Sequence, residues 1–265
     1  MKQFIPQFIK FPLWFLFKSP QRRFAWFTLW LDILSLISFA FYSVFKIKKL
    51  KPISICVGLS NRSPIFLNTF LSSLNNVKNK HLIELSVFDC NSTDVEDLET
   101  EIKKKWVGNL IFSNKEMKFT RAATFNNAVL QSNNETILIC DADFSLPINI
   151  VQLCNNYTRG SMVWFPIVFY LYKNKPKIFD KKNGEWMQWG GKGILATSKK
   201  HFINVGMLNT DFTEWGREDD ELWQRFYQHK YLVFRSRCKG FLHHWHPSLN
   251  PKYQELATMV DEGKI

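Results

Sequence analysis

From Pro52 onward the sequence predicts an α/β fold, a mostly parallel sheet flanked by helices. Short apolar runs rich in β-branched residues alternate with runs of helical spacing, the order expected of strands joined by crossover helices. Two of the apolar runs end abruptly in carboxylates, and in a parallel sheet such strand ends share the edge where ligands gather. No internal repeat or low-complexity linker divides the stretch, so residues 51–265 are expected to form one catalytic domain behind a distinct N-terminal segment, residues 1–50.

Each element follows from its local pattern. ISICVGL, Ile53–Leu59, reads as a buried strand that opens into the loop SNRSP. IFLNTFLSSL has helical spacing, and LIELSVFD, Leu82–Asp89, is a second strand ending in the polar turn CNSTD. DVEDLETEIKKKW places acids early and lysines late, as the helix macrodipole prefers. NLIFSN is a short third strand, TRAATFNNAVLQS a helix, and ETILICDAD a fourth strand. Farther on, YLVFRSRCKG has the look of another strand.

The first fifty residues have a different character. Pro6, Pro12 and Pro20 prevent one regular helix at the start, whereas Phe24 to Phe45 is almost wholly apolar. Thr28, Asp32, Ser35, Ser38 and Ser43 fall on one stripe about 140° wide, which makes the segment amphipathic. Asp32 sits near its centre, where a charge opposes a full crossing by roughly 2.5–3.5 kcal/mol. Basic residues flank both ends, and no small-residue cleavage site follows. The expectation is in-plane or re-entrant attachment to a membrane, in preference to a span or a helix packed on protein.

A formal charge of +12 in 265 residues calls for an anionic partner. Zinc-finger spacing, an arginine-rich arm and a reading helix are all missing, so nucleic acid is not expected; a phosphate-bearing substrate or an anionic membrane accounts for the charge. Five cysteines without a CxxC pair read as free thiols, which favours a cytoplasmic catalytic domain.

The chemistry concentrates in ICDADFSLP, where Asp141 and Asp143 follow a buried strand. An EF-hand reading fails, because the sixth and twelfth positions are Leu146 and Gln152 instead of Gly and Glu. A phosphatase of the haloacid dehalogenase type wants Thr or Val where Ser145 stands, and wants the motif on the first strand instead of the fourth. A third reading is a metal clamp, in which the carboxylates hold a divalent ion against a diphosphate. Two later stretches fit the third. WGREDDELWQRF groups Glu218, Asp219 and Asp220, carboxylates able to accept a proton from an attacking hydroxyl. FLHHWHP brings His243, His244 and His246 within four residues, and a neutral imidazole can complete a carboxylate metal site.

SNR after the first strand, FDCNSTD, FTRAATFNNA, ICDADFSLP, GGKG, WGREDDE and HHWHP occur in one order. In that order the chain resembles the GT-A-fold glycosyltransferases, specifically the inverting enzymes of glycosyltransferase family 2 and the galactosyltransferase family 7 C-terminal group, chondroitin-polymerase-like domains included. The resemblance implies an enzyme that moves a hexose or N-acetylhexosamine from a nucleotide-sugar donor, a UDP-sugar, to a glycan or lipid-linked saccharide, with Mn²⁺ or Mg²⁺ as cofactor. It implies that Asp89, Asn61 and Arg62 line the uracil pocket and that Arg121 and Asn126 contact the nucleotide or its diphosphate. Asp141 would face the ribose or a metal water, and Asp143 would bind the ion with one of His243, His244 and His246, the first two being favoured. Asp219 would be the general base, Glu218 its acceptor-binding partner, and Trp215 the aromatic over the donor sugar. The family's usual WGGED reads WGRED here, with Arg217 in the place of glycine. Two other readings stand beside this one: a non-catalytic membrane-anchored scaffold with the same fold, and the phosphatase.

Overall fold

The computed structural model of the chain describes residues 22–188, 192–212 and 217–246. Its centre is a mixed sheet of nine strands in the order β3-β2-β1-β4-β8-β6-β9-β5, with β7 paired off this path to the far end of β6. β1 (Ile53–Leu59), β2 (Ile83–Asp89), β3 (Asn109–Asn114) and β4 (Thr136–Ile139) run parallel, as their alternation with helices predicts. The rest departs from a mostly parallel sheet. β8 (Leu195–Ser198) is antiparallel to both β4 and β6 (Met162–Leu171), and the two-residue β5 (Phe144–Ser145) is antiparallel to β9 (Leu232–His243). β6 and β9 are parallel, and β7 (Gly184–Trp186) turns back along β6.

Helices cover both faces, which explains why β1 is a continuous apolar run. Ile53, Ile55, Val57 and Leu59 point to one core layer and Cys56 to the other. The first layer is closed by α2 and α5 (Ile150–Tyr157). α2 spans residues 63–75 with a π-helical stretch, Phe66–Phe70, at its middle. Phe66 and Phe70 from that stretch are fully buried, worth about 1.5–3 kcal/mol each relative to exposure. The second layer is closed by α4 (Arg121–Gln131), α6 (Lys199–Asn204) and α7 (Glu218–Gln228), with Phe125, Phe202 and Phe226 at its centre. α3 (Leu98–Lys105) packs beside α2 and adds Leu98 and Ile102 to the first layer. All five cysteines are buried and free.

The N-terminal helix α1 (Arg22–Val44) packs on the sheet through β9 and α5. Phe39 stacks on Phe234 with ring centroids 4.1 Å apart, and Leu31 and Ser35 are buried. Among the described residues no helix is long and apolar enough to cross a membrane. The polar stripe of α1 turns inward: Asp32 Oδ1 accepts from Tyr227 Oη at 2.6 Å, and Ser43 Oγ lies 3.3 Å from Tyr157 Oη. Burial pushes the Asp32 carboxyl up to about 6, and the Tyr227 bond offsets this only in part.

Candidate active site

The carboxyl ends of β1, β2 and β4 meet the C-terminal end of β9 at one edge. At the end of β2, Asp89 is fully buried and accepts from the backbone N of Ser92 at 3.0 Å and from its hydroxyl. Asn61, just past β1, takes a left-handed φ of 51°. Its N donates to Ser92 Oγ at 2.8 Å, and its Oδ1 accepts from Thr93 N at 2.9 Å. Asn61 and Asp89 therefore hold two loops against each other, which shapes the rim of this edge.

β4 continues into Asp141, Ala142 and Asp143 before the short β5. Because β5 pairs with β9 at Phe144–His243, the second aspartate is carried to the histidines. Asp143 Oδ2 lies 2.7 Å from His246 Nε2 and 3.6 Å from His243 Nε2. These three side chains can each turn one ligand atom to a common point, all within 4.8 Å of one another. The other oxygen, Asp143 Oδ1, is buried without a hydrogen-bond partner among the described residues. Against the burial that would raise it, the two imidazoles hold the Asp143 carboxyl well below the usual carboxylate range. An orphaned carboxylate oxygen beside two imidazole nitrogens fits a divalent ion, and this mixed donor set suits Mn²⁺ better than Mg²⁺. The His243 ring is held by stacking on Tyr170, centroids 4.1 Å apart, and by the edge of Phe144. His246 turns its Nδ1 to Arg62 Nη1 at 2.8 Å.

His244 and Asp141 do not join that cluster. His244 Nε2 is 2.6 Å from Ser145 Oγ, because neighbours on a strand point to opposite faces, and burial lowers its imidazole to about 4. Asp141 belongs to a second group centred on Arg121. Thr120 caps α4 by accepting from Ala123 N, which sets Arg121 in the first helical turn at the sheet edge. Arg121 Nε donates to Asp141 Oδ1 at 3.2 Å, its Nη2 donates to Gly193 O at 2.7 Å, and its Nη1 is 3.6 Å from Glu218 Oε1. Burial works against the guanidinium charge, but Asp141, Asp219 and Glu218 outweigh it and keep Arg121 charged. Burial raises Asp141, and Asp143 adds to the rise while Arg121 opposes it.

α7 supplies the third part. Its first turn holds Glu218, Asp219, Asp220 and Glu221, a charge distribution that suits a helix N-terminus. Glu218 is buried, its Oε2 has no partner among the described residues, and burial with the Asp219 charge raises its pKa. Asp219 is half-buried beside it. Arg217 precedes α7 with φ 81°, the left-handed region that glycine favours, which accounts for the glycine usual at that place.

Asn126, expected at the nucleotide, is buried with its amide turned to the backbone. Its amide donates to Leu208 O at 2.8 Å and accepts from Leu208 N at 3.0 Å, so both groups are spent on the chain before α7. Arg225 holds the same stretch through Val205 O and Met207 O while paired with Glu221. Trp215 lies outside the described residues. Sequence reasoning passed over Ser92, whose position three residues after Asp89 is an Asx-turn signal, and Arg225, whose only mark was its i,i+4 spacing from Glu221. It also passed over Tyr170, for which strand periodicity carries no signal.

A family model described as chondroitin N-acetylgalactosaminyltransferase matches residues 34–255. Human chondroitin sulfate synthase 3 is 30% identical over 158 residues, 53% of this chain and 18% of the relative. Mouse chondroitin sulfate N-acetylgalactosaminyltransferase 1 is 24% identical over 131 residues, 44% of this chain and 24% of the relative. The chain thus spans about a fifth to a quarter of the length of these relatives. Among solved structures, GalNAc-T7 with UDP, GalNAc and Mn²⁺ superposes with a TM-score of 0.61 at 13% identity, covering 76% of this chain and 45% of that one. A mannosyltransferase from Pyrobaculum calidifontis with GDP-Man and Mn²⁺ gives 0.56 at 12% identity, covering 85% and 68%. Such likeness identifies the fold as GT-A. With most of its length matched by one family model, the chain belongs to the chondroitin N-acetylgalactosaminyltransferase family, a family of glycosyltransferases.

Proposed function

We propose that the protein is a metal-dependent, inverting glycosyltransferase that moves N-acetylgalactosamine, or a related hexosamine or hexose, from a UDP-sugar to a hydroxyl of a glycan or lipid-linked saccharide. The observation that carries the proposal is the Asp143, His243 and His246 cluster, built on the same sheet edge as the Arg121, Asp141 and Glu218 group. The family and the nucleotide-sugars named with the solved neighbours support the donor class.

In this reading Asp143, His243 and His246 hold Mn²⁺, which when bound supplies Lewis-acid stabilisation of charge on the departing diphosphate. Arg121 remains a fixed cation at the same edge and sets the orientation of Asp141 toward the ribose. Glu218 accepts a hydrogen bond from the acceptor sugar through its orphaned oxygen. Asp219 takes the proton of the attacking hydroxyl as the new bond forms at the anomeric carbon and the bond to the phosphate oxygen breaks, UDP leaving on the opposite face. Water exclusion and orientation supply most of the acceleration. In this reading the catalytic domain lies in the cytoplasm, supported by five buried free thiols, and the chain attaches to a membrane through its N-terminal segment.

A panel of UDP-sugars with Mn²⁺, with and without chelator, tests the proposal. One UDP-hexosamine should raise the melting temperature and be hydrolysed slowly only with metal present. If no nucleotide-sugar stabilises the protein, or if chelation changes nothing, the proposal fails. Release of phosphate from a simple phosphoester would favour the phosphatase instead.

A further inference from the structure

We propose that the outward face of α1 is a docking surface for an anionic lipid bilayer, with the helix lying in the plane of the headgroups. The proposal deepens the membrane part of the reading above and does not depend on the transfer chemistry.

α1 is amphipathic in the reverse sense to a helix on a water-soluble protein. Such a helix buries its apolar stripe and wets its polar one. Here Asp32, Ser35 and Ser43 face the protein, held by Tyr227, the Asp32 carbonyl and Tyr157 respectively. Solvent meets Trp30, Ile33, Ile37, Phe41, Val44 and Phe45 instead, between 46% and 74% exposed. At 100° per residue these side chains span an arc of about 120°. Seven of the thirteen exposed large apolar side chains among the described residues lie in this one stretch of sixteen, so the face is a patch and not scatter.

Charge identifies what covers it. Directly after the helix, Lys46, Lys48, Lys49 and Lys51 are all exposed. An apolar face continued by four exposed lysines at its C-terminal end matches acyl chains bordered by anionic headgroups. The helix is also fastened to the domain behind it. Arg159 Nη1 donates to Phe45 O at 2.8 Å, Asn156 accepts from Ile47 N at 3.1 Å, and Asn155 accepts from Lys51 N at 2.8 Å. A bilayer that holds α1 therefore holds the whole catalytic domain. β9, which carries His243 to the site, runs away from α1: Phe234 contacts α1 and His243 is nine residues, about 30 Å, farther along the strand. The nucleotide edge thus stays clear of the lipid while the domain sits on it.

An environment-sensitive dye on Ile37→Cys, compared with the same dye on Ile203→Cys, tests the surface; the five native thiols are buried. Vesicles of phosphatidylcholine with phosphatidylglycerol should shift emission to the blue at position 37 and leave position 203 unchanged. The shift should weaken on pure phosphatidylcholine, and again when the four lysines are changed to glutamine. Absence of a shift at 37, an equal shift at 203, or indifference to lipid charge would overturn the proposal. So would a lipid-free blue shift that grows with protein concentration, which would make the occupant a second copy of the chain.

Discussion

His246 Nε2 stands 2.7 Å from Asp143 Oδ2, while the other nitrogen of the same ring faces Arg62 Nη1 at 2.8 Å. Arginine only donates, so Nδ1 accepts and Nε2 carries the hydrogen toward the carboxylate. A metal ion at this point takes the place of that proton. Binding of Mn²⁺ at Nε2 therefore requires the tautomer with its hydrogen on Nδ1, which breaks the contact with Arg62. His243→Ala and His246→Ala should each weaken Mn²⁺ binding by about tenfold or more, read from the free-ion resonance signal. His244→Ala, whose ring serves Ser145, should stay within a few-fold. Equal losses in all three variants would remove the assignment of the ligand pair.

Glu218 and Asp219 are adjacent on the first turn of α7, yet one is buried and the other half-buried. Asp219→Asn should lower the transfer rate by about 10²–10⁴ while leaving metal-dependent UDP binding in place. Glu218→Gln should act mainly on the KM for acceptor. Turnover by Asp219→Asn at the wild-type rate would end its assignment as base.

A Cβ on Gly193 would come within 2.7 Å of Arg121 Nη2 and 3.4 Å of Asp141 Oδ2. Arg121 also needs the Gly193 carbonyl as an acceptor. Gly193→Ala should therefore push the guanidinium off Asp141 and weaken UDP binding, with little change in melting temperature because the clash is local. Unchanged UDP affinity would show that the pair plays no part in donor binding.

Asp32 offers a pH test far from the chemistry. Its folded-state pKa is raised from 3.8 to about 6, so its contribution to stability is full below the unfolded value and is lost as pH rises through the folded one. The difference corresponds to at most about 3 kcal/mol. Asp32→Asn keeps an acceptor for Tyr227 and carries no charge, so it should raise the melting temperature at neutral pH and gain much less at about pH 4. Destabilisation at neutral pH would show that the charged carboxylate is favoured there.

Local patterns marked the nucleotide half clearly. β1 and β3 stand where their apolar runs do, and α4 differs from its helical pattern by one residue at each end. β1 obeys the pattern because it is covered on both faces and α4 because it is covered on one, while β3, at the edge of the sheet, is only half-buried. The other half was less legible. β6 is a ten-residue strand whose residues are nearly all buried, so it lacks the alternation that separates strand from buried helix, and β5 and β7 are too short to show a period. The antiparallel pairings that make the sheet mixed depend on which distant strands meet, which no local window contains.

By itself the sequence determined the α/β alternation, the carboxylates at strand ends and a cluster of three histidines, because these are properties of neighbours along the chain. The β5–β9 register decided that His243 meets Asp143 and that His244 faces Ser145, because side chains alternate across a strand; His246 returns to Asp143 because β9 has ended at His243 and the alternation no longer applies. That Asn126 serves Leu208, and that Arg121 links Asp141 to Glu218 across nearly a hundred residues, likewise required the folded chain. The same holds for α1. Its composition showed two faces, but only the domain behind it decided that the polar face turns inward, since buried Tyr227 and Tyr157 provide hydroxyl partners that lipid cannot.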